Sequence, residues 1–309
     1  ILERGSVGSK DYRVHVLQKD TSQRARELSL WHDVPLVAPS APASPRNAPP
    51  LFNFVCEIPK CTRKKFEVAT EEVKCPIKQD EKKGVLREFK KGDIFFNYGC
   101  FPRTWEDPRH VSKDTGYPGD NDPLDVCEIG IRQIGTGQVR AVKVLGVLAM
   151  IDDDETDWKV VAIDVDDRWA PELNDVEDVE RLLPGTISLI REWFRTYKIP
   201  DGKPPNKFAL EERCMPRAYA HGVIRDTHAA YRDLLQSGGH EGLHLPADIS
   251  SLTGLARDSE VVDRRLPLSP AKATLIKNWQ KFIHPLPRND PLPESTVELR
   301  LLVAPYSFS

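Results

Sequence analysis

The stretch Gly119–Gly130, GDNDPLDVCEIG, sets three carboxylates, Asp120, Asp122 and Asp125, around Pro123 and beside the apolar residues Val126, Ile129 and Ile131. Carboxylates at close range repel by about 1 kcal/mol per pair in water, and by more where water is excluded. Such a group either splays into solvent or gathers around something positive. Pro123 fixes its own φ and pushes Asp122 out of the helical region, so the segment is expected to be extended. An extended chain points Asp120 and Asp122 to the same side, with Asp125 within reach after the bend at the proline. A second cluster, IDDDETDWK, makes five of the six residues from 152 to 157 acidic and places Asp152 and Asp157 at the two sides of a tight turn closing a strand.

A pair of solvated acidic turns would account for either cluster alone, but both stand at the end of an apolar strand. A calcium loop of the EF-hand type fails on spacing. Started at Asp120 it needs Gly at Asp125 and Glu at Ile131, and started at Asp152 it needs Gly at Asp157 and Glu at Ile163. Hard carboxylate oxygens without cysteine or histidine select Mg²⁺ or Mn²⁺ over zinc. Magnesium keeps several waters and works with phosphate, which directs attention to nearby anion-binding side chains.

The elements that must position these residues read as a strand-rich body followed by helices, an α+β chain. LFNFVCEIP, KKFEVAT, DIFFNYG, LDVCEIGI, GQVRAVKVLGVLAMI and DWKVVAIDV are strand candidates separated by glycine, proline or acidic turns, a pattern suited to a closed or partly closed β-barrel. After Asp175 the period changes to helical in DVEDVERLL, in TISLIREWFRTY with Leu189, Trp193 and Tyr197 four apart, and in RAYAHGVIRDTHAAYRDLL. Residues 37–50 are proline-rich and read as an exposed loop. The expected division is a catalytic domain over 1–236 and an extension of unknown role over 237–309. Near its end STVELRLLVAPYSFS alternates like a half-buried strand and is expected to pack on the body or on a second protomer.

With 309 residues, 39% hydrophobic and 29% charged, the composition is that of a soluble globule. A formal charge of -3 gives no reason to expect nucleic acid or an anionic membrane as partner, and no apolar run approaches the roughly 18 residues a spanning helix needs. The start, ILERGSVGSK, lacks the apolar core of an intact signal peptide, and removal of an upstream leader is left open. Six irregularly spaced cysteines with no C-x-x-C pair point to reduced thiols and a cytoplasmic chain, with an organellar form left open.

GDNDPLDVCEIG, ETDWKV, NYGCFPRTWEDP and YKIPDGKP together closely resemble the family I soluble inorganic pyrophosphatases of the larger eukaryotic type. The likeness runs from YRVHV at 12–16 through LWHDVPL and FNFVCEIPK to about residue 236. It implies an OB-like five-stranded barrel flanked by helices, with an acidic cavity at the barrel mouth, and hydrolysis of pyrophosphate to two orthophosphates without a covalent intermediate. The family's metal-binding aspartates fall on Asp120, Asp122, Asp125, Asp152 and Asp157, with Glu67 holding a further Mg²⁺ through water. Its phosphate-contacting side chains fall on Lys65, Arg87, Tyr98, Lys159, Tyr197 and Lys198, and Asp122 matches the carboxylate that takes the proton of the attacking water. Glu57 and Asp80 match two further acidic cavity residues. Several Mg²⁺ ions are implied, with Mn²⁺ as a substitute and Ca²⁺ as an inhibitor, and a homodimer as the default assembly.

Two departures stand out. REFKKGDIFFNYG is shorter than the family's segment, and Ile94 sits where another active-site tyrosine would align. Cys61 replaces a tryptophan after EIPK that belongs, with the shortened segment, to the dimer contact of some relatives, so an altered interface is expected. The alternatives are a catalytically inactive relative, which a lost aspartate or arginine would signal, and an OB-fold nucleic-acid protein, which would need a basic groove rather than acidic loops.

Overall fold

The computed structural model describes residues 1–19, 24–39 and 49–263. Five strands form a closed ring: β1 (Phe52–Ile58), β2 (Asn97–Cys100), β3 (Asp125–Glu128), β4 (Val139–Asp152) and β5 (Glu155–Asp164). β1 pairs antiparallel with β2, β2 with β3, β5 with β4, and β4 with β1; the β3–β5 pairing is parallel and completes the ring. Closure leaves these five strands no open edge, which is how a small antiparallel body avoids unpaired backbone groups. The expected OB-like α+β architecture is therefore present.

Alternation along the strands divides their side chains between two apolar clusters. Trp158, Val160 and Ala162 of β5 join Phe54, Cys56 and Val126 and pack with Ala220 and Ile224 of α3 (Arg217–Gln236). Val161 and Ile163 face the other way, with Cys127, Leu148 and Met150, and are covered by α1 (Val176–Leu182) and α2 (Thr186–Thr196). The parity places Asp157 and Lys159 on the second of these faces, at the strand end where the apolar run gives out.

Local chemistry fixes the helix ends. Asp175 caps α1 by accepting the Val176 N–H in a capping box with Asp178, and its Oδ1 also accepts the Arg217 N–H, tying the start of α3 to the start of α1. Gly185, at a φ of 84°, makes the turn into α2. The buried stripe of α2 is Ile187, Ile190, Trp193 and Phe194, with Tyr197 just beyond its end. Leu189, expected to share that stripe with Trp193 and Tyr197, points to solvent at 61% exposure, because 3.6 residues per turn carries position 189 off the face that Trp193 and Phe194 together define.

Two further expectations are altered. Only the last three residues of DIFFNYG are strand, the start of β2; Ile94 and Phe96 precede it as buried, non-strand residues. Val37 and Ala38, read as part of an exposed loop, are buried, and Val37 bridges to Phe52 of β1; residues 40–48 lie outside the described residues. In the stretch after residue 236, read as an extension, α4 (Leu255–Asp263) places Val262 in the core and buries Asp258. The strand expected near residues 295–309 lies outside the described residues.

Ile94, where a tyrosine was expected by likeness, is 1% exposed in the cluster that holds Phe89, Phe96 and Trp193. Ile94→Tyr should therefore overpack that cluster and destabilise by about 1–3 kcal/mol, read from denaturation midpoints. A variant as stable as the parent would show that the position has room for a ring.

Candidate active site

The two acidic clusters meet because β3 and β5 lie side by side. Parallel pairing sets Asp125 opposite Lys159, and Gly119 forms a parallel bridge with Thr156. Asp157 and Lys159 then project beside Asp125. Gly119 permits the approach: a Cβ there would lie 2.4 Å from the backbone of Glu106. Asn121, at a φ of 72°, turns the chain so that Asp120 and Asp122 follow one another on the same side, with the Asp122 N–H donating to Asp120 Oδ1 at 3.0 Å.

Carboxylate oxygens of Glu106, Asp120 and Asp157 lie within 4.8 Å of one another. Glu106 and Asp157 are buried and Asp120 is half-buried. Burial first, and then the neighbouring aspartates, hold the Glu106 and Asp120 carboxyls well above the usual carboxylate range. Asp157 is pushed up to about 8 by burial, against the pull of Lys159 and with the push of Asp125 and Asp152. Asp122 keeps solvent-accessible surface at the mouth. The concave wall around it still removes enough water, with Glu67 adding repulsion, to raise it to about 7. Glu106 Oε1 accepts the Trp158 N–H at 3.1 Å, but its Oε2 is buried without a hydrogen-bond partner. A buried carboxylate oxygen with no donor, beside two more acids and no cysteine or histidine, is the donor set of a hard divalent cation.

Lys159, 2% exposed, is the cation inside this group. It contacts both Asp125 and Asp157, donates to the Tyr98 hydroxyl at 3.0 Å, and lies 5.1 Å from the Phe194 ring centroid. Burial works against its charge, but the two aspartates outweigh it and raise its pKa well above the ordinary value. The Tyr98 hydroxyl donates to Asp125 Oδ2.

A hairpin supplies one wall of the site. Phe66–Val68 pairs antiparallel with Ile77–Gln79, and the backbones of Lys65, Asp80 and Arg87 bond to one another in a triangle. Their side chains converge: Lys65 reaches Asp80 at 2.7 Å and Glu67 at 3.3 Å, and Arg87 contacts the same Asp80 oxygen as Lys65. These two cations hold Asp80 below the usual range in spite of its burial. Glu57, at the end of β1, accepts the Val68 N–H at 2.7 Å and so fastens the hairpin to the barrel. The other wall comes from the end of α2, where the Tyr197 hydroxyl donates to Asp152 at 2.9 Å and Lys198 contacts Asp152 and also Asp153. Trp193 stacks on Tyr197 at 5.4 Å and 10°, fixing the phenol.

The residues singled out in sequence thus fall into three adjoining groups. Asp120, Asp125, Asp157, Lys159 and Tyr98 form the floor, with Asp122 at its mouth; Lys65, Glu67, Asp80 and Arg87 form one wall; Asp152, Tyr197 and Lys198 form the other. Ile94 adds no hydroxyl, being enclosed in apolar neighbours. Glu106 was not singled out by sequence reasoning. No periodicity marks it, and its only signal is its place within NYGCFPRTWEDP.

A closed five-stranded barrel with a carboxylate floor and cationic walls defines a metal-assisted enzyme acting on a small anion. The comparisons agree with that class. The inorganic pyrophosphatase family profile matches residues 54–232. An inorganic pyrophosphatase of Schizosaccharomyces pombe is 44% identical over 277 residues, covering 87% of this chain and 92% of its own. The chloroplastic soluble inorganic pyrophosphatase 1 of Chlamydomonas reinhardtii is 50% identical over 231 residues, covering 75% and 77%. The N-terminally truncated vacuolar soluble pyrophosphatase of Trypanosoma cruzi, solved in complex with PPi, superposes with a TM-score of 0.74 at 44% identity, covering 76% of this chain and 90% of that one. The chain belongs to the family of inorganic pyrophosphatases.

Titration of Asp157 gives a prediction for the chelator-treated protein. Its carboxyl is protonated in the fold up to about pH 8 but ionised in the unfolded chain above 3.8. Its contribution to stability is therefore full below pH 3.8 and lost once pH passes about 8. Melting temperatures of the metal-free parent should fall across that window, and Asp157→Asn should flatten the fall. Parallel profiles for the two proteins would remove Asp157 as its source.

Proposed function

We propose that the chain hydrolyses inorganic pyrophosphate to two orthophosphates, with Mg²⁺ bound by Asp120, Asp122, Asp125, Asp152 and Asp157 and a further ion approached by Glu67 through water. The observation that carries this reading is the largely buried Glu106–Asp120–Asp157 cluster, bordered by walls bearing Lys65, Arg87 and Lys198. Glu106 joins the ligand set through its unpartnered oxygen. When bound, the magnesium ions lower the pKa of a water and neutralise phosphate oxygens. Asp122, at the open mouth, takes the proton from the attacking water. Arg87 forks two phosphate oxygens, Lys65 and Lys198 act as point charges, and Tyr98 and Tyr197 donate hydrogen bonds. Lys159 holds Asp125 and Asp157 apart in charge and contacts phosphate from the floor. Mn²⁺ substitutes for Mg²⁺. Ca²⁺, larger and tolerant of irregular coordination, binds and supports poor turnover.

We further infer a homodimer with an altered contact: Cys61 is exposed and its N–H donates to the Ile94 carbonyl, next to Phe95, which is 38% exposed. All six cysteines are free, in keeping with a reducing, cytoplasmic setting, although named relatives include chloroplastic and vacuolar proteins.

Purified protein should release phosphate from pyrophosphate with millimolar Mg²⁺ and lose that activity when a chelator is added. Asp122→Asn should fold and retain much of its Mg²⁺ binding while kcat drops by about 10²-fold or more, the usual share of a general base. A kcat within about threefold of the parent would take Asp122 out of the proton-accepting role. Activity indifferent to chelation would sink the metal assignment.

A further inference from the structure

The carboxylate floor hangs from a spine, residues 103–107, whose far end is gripped by α4. Arg103 is fully buried at a φ of 55°, a left-handed conformation that a residue with a Cβ holds only when its surroundings impose it. What imposes it is a cage. Arg103 Nη1 donates to Asp258 Oδ2 at 2.8 Å, Nε to the His32 carbonyl at 2.9 Å, and Nη2 to the Thr253 carbonyl at 2.9 Å. Asp258, 0% exposed, also accepts the N–H groups of Leu36 and Val37 at 2.9 and 3.0 Å. His228 of α3 donates to the Arg103 carbonyl at 2.7 Å, and its other ring nitrogen meets Ser259 Oγ of α4 at 3.2 Å.

From this cage outward, each of the next three residues bonds to the acidic loop. The Leu124 N–H donates to Thr104 Oγ1 at 2.9 Å, Trp105 Nε1 donates to Asn121 Oδ1 at 3.0 Å, and the Glu106 N–H donates to the Asp122 carbonyl at 2.9 Å while the Asn121 N–H returns to the Glu106 carbonyl at 2.9 Å. Asp258 itself lies beyond residue 232, where the family match ends.

We propose that α4 positions the metal-binding loop, with Asp258 as a positioning residue acting through Arg103 on Glu106, Asp120 and Asp122. A buried ion pair adds little stability over apolar residues of the same size, but it admits only the geometry that satisfies every donor and acceptor. Here all the named partners are met only when the spine and the 119–125 loop stand in one arrangement. Mutually repelling carboxylates relax apart wherever their backbone yields, so a loosened spine weakens the cation site before it unfolds the barrel. This role rests on the reading that those carboxylates hold magnesium.

The test compares the full-length parent with Asp258→Asn, and with Val262→Ala, which loosens the seat of α4 without touching a charge. Magnesium affinity is measured by calorimetry without pyrophosphate, well below the melting temperature, alongside the magnesium concentration for half-maximal turnover. Asp258→Asn should weaken magnesium binding about three- to tenfold and raise the half-maximal concentration in step, with kcat at saturating magnesium nearly unchanged. Val262→Ala should move both in the same direction by less. Variants that melt earlier but bind magnesium as the parent does overturn the positioning role. If Asp258→Asn does not fold, Val262→Ala decides by the same comparison. A parent that binds no magnesium overturns the metal reading and this role with it.

Discussion

Everything in this molecule is arranged around carboxylates held closer, and drier, than their charge favours. Removing a carboxylate from water costs far more than a surface contact returns, so an acid cluster persists only if the scaffold forces it or a cation neutralises it. Of the three acids at the centre, only Asp157 is paired with a cation of the chain among the described residues. Lys65 and Arg87 both go to Asp80, Lys198 goes to Asp152 and Asp153, and Lys159 is shared between Asp125 and Asp157. Glu106 and Asp120 stand with raised carboxyls, and one Glu106 oxygen has no donor among the described residues. The charge deficit is thus localised to a pocket a few ångströms across, and a divalent ion is the economical way to fill it.

Holding that deficit requires backbone that does not yield. The loops bearing the acids contain residues in left-handed conformations, Asn121 at 72°, Asp153 at 48° and Asp154 at 67°, all short polar types that tolerate this region best. Each is anchored on both sides by a barrel strand, and ring closure leaves those strands nowhere to slide. The parallel β3–β5 pairing is the decisive join. A one-residue slip there would turn Asp125 away from Lys159 and reverse the face that Asp157 occupies.

The candidate site was legible from sequence to the extent that its chemistry is written in short runs. Asp120, Asp122 and Asp125 declare themselves by density around a proline, and Asp152 and Asp157 by a turn between apolar strands. The strands that carry them were legible for the same reason, since β1, β4 and β5 are short runs rich in β-branched, aromatic and aliphatic residues. What escaped was set by contacts between distant segments. Glu106 is one acid in a mixed stretch and gains meaning only when β5 brings Trp158 and Asp157 to it. Asp258 looks like an ordinary helical acid, and only the fold reveals Arg103 behind it. Leu189 was misplaced because four-residue spacing drifts on a helix, whereas the packed face follows Trp193 and Phe194 together.

Fold alone would leave a nucleic-acid reading open, because OB-like barrels bind single strands on basic grooves lined with aromatic platforms. The placement of rings and charges at the candidate site argues against it. Tyr98, Phe194, Trp193 and Tyr197 pack against one another, at centroid distances of 5.7 Å for Tyr98–Phe194 and 5.1 Å for Trp193–Phe194, and three of the four are buried. Their exposed faces are not offered to bases; they support Lys159 and orient the hydroxyls of Tyr98 and Tyr197 toward Asp125 and Asp152. Lys65, Arg87, Lys159 and Lys198 are likewise turned inward and paired at short range, so these four form no extended positive track. An inward-facing set of this kind discriminates by size as much as by charge. It suits the compact polyanion proposed as substrate, which would displace carboxylates from Lys65, Arg87 and Lys198, whereas a backbone of linked nucleotides would have to do so one phosphate at a time.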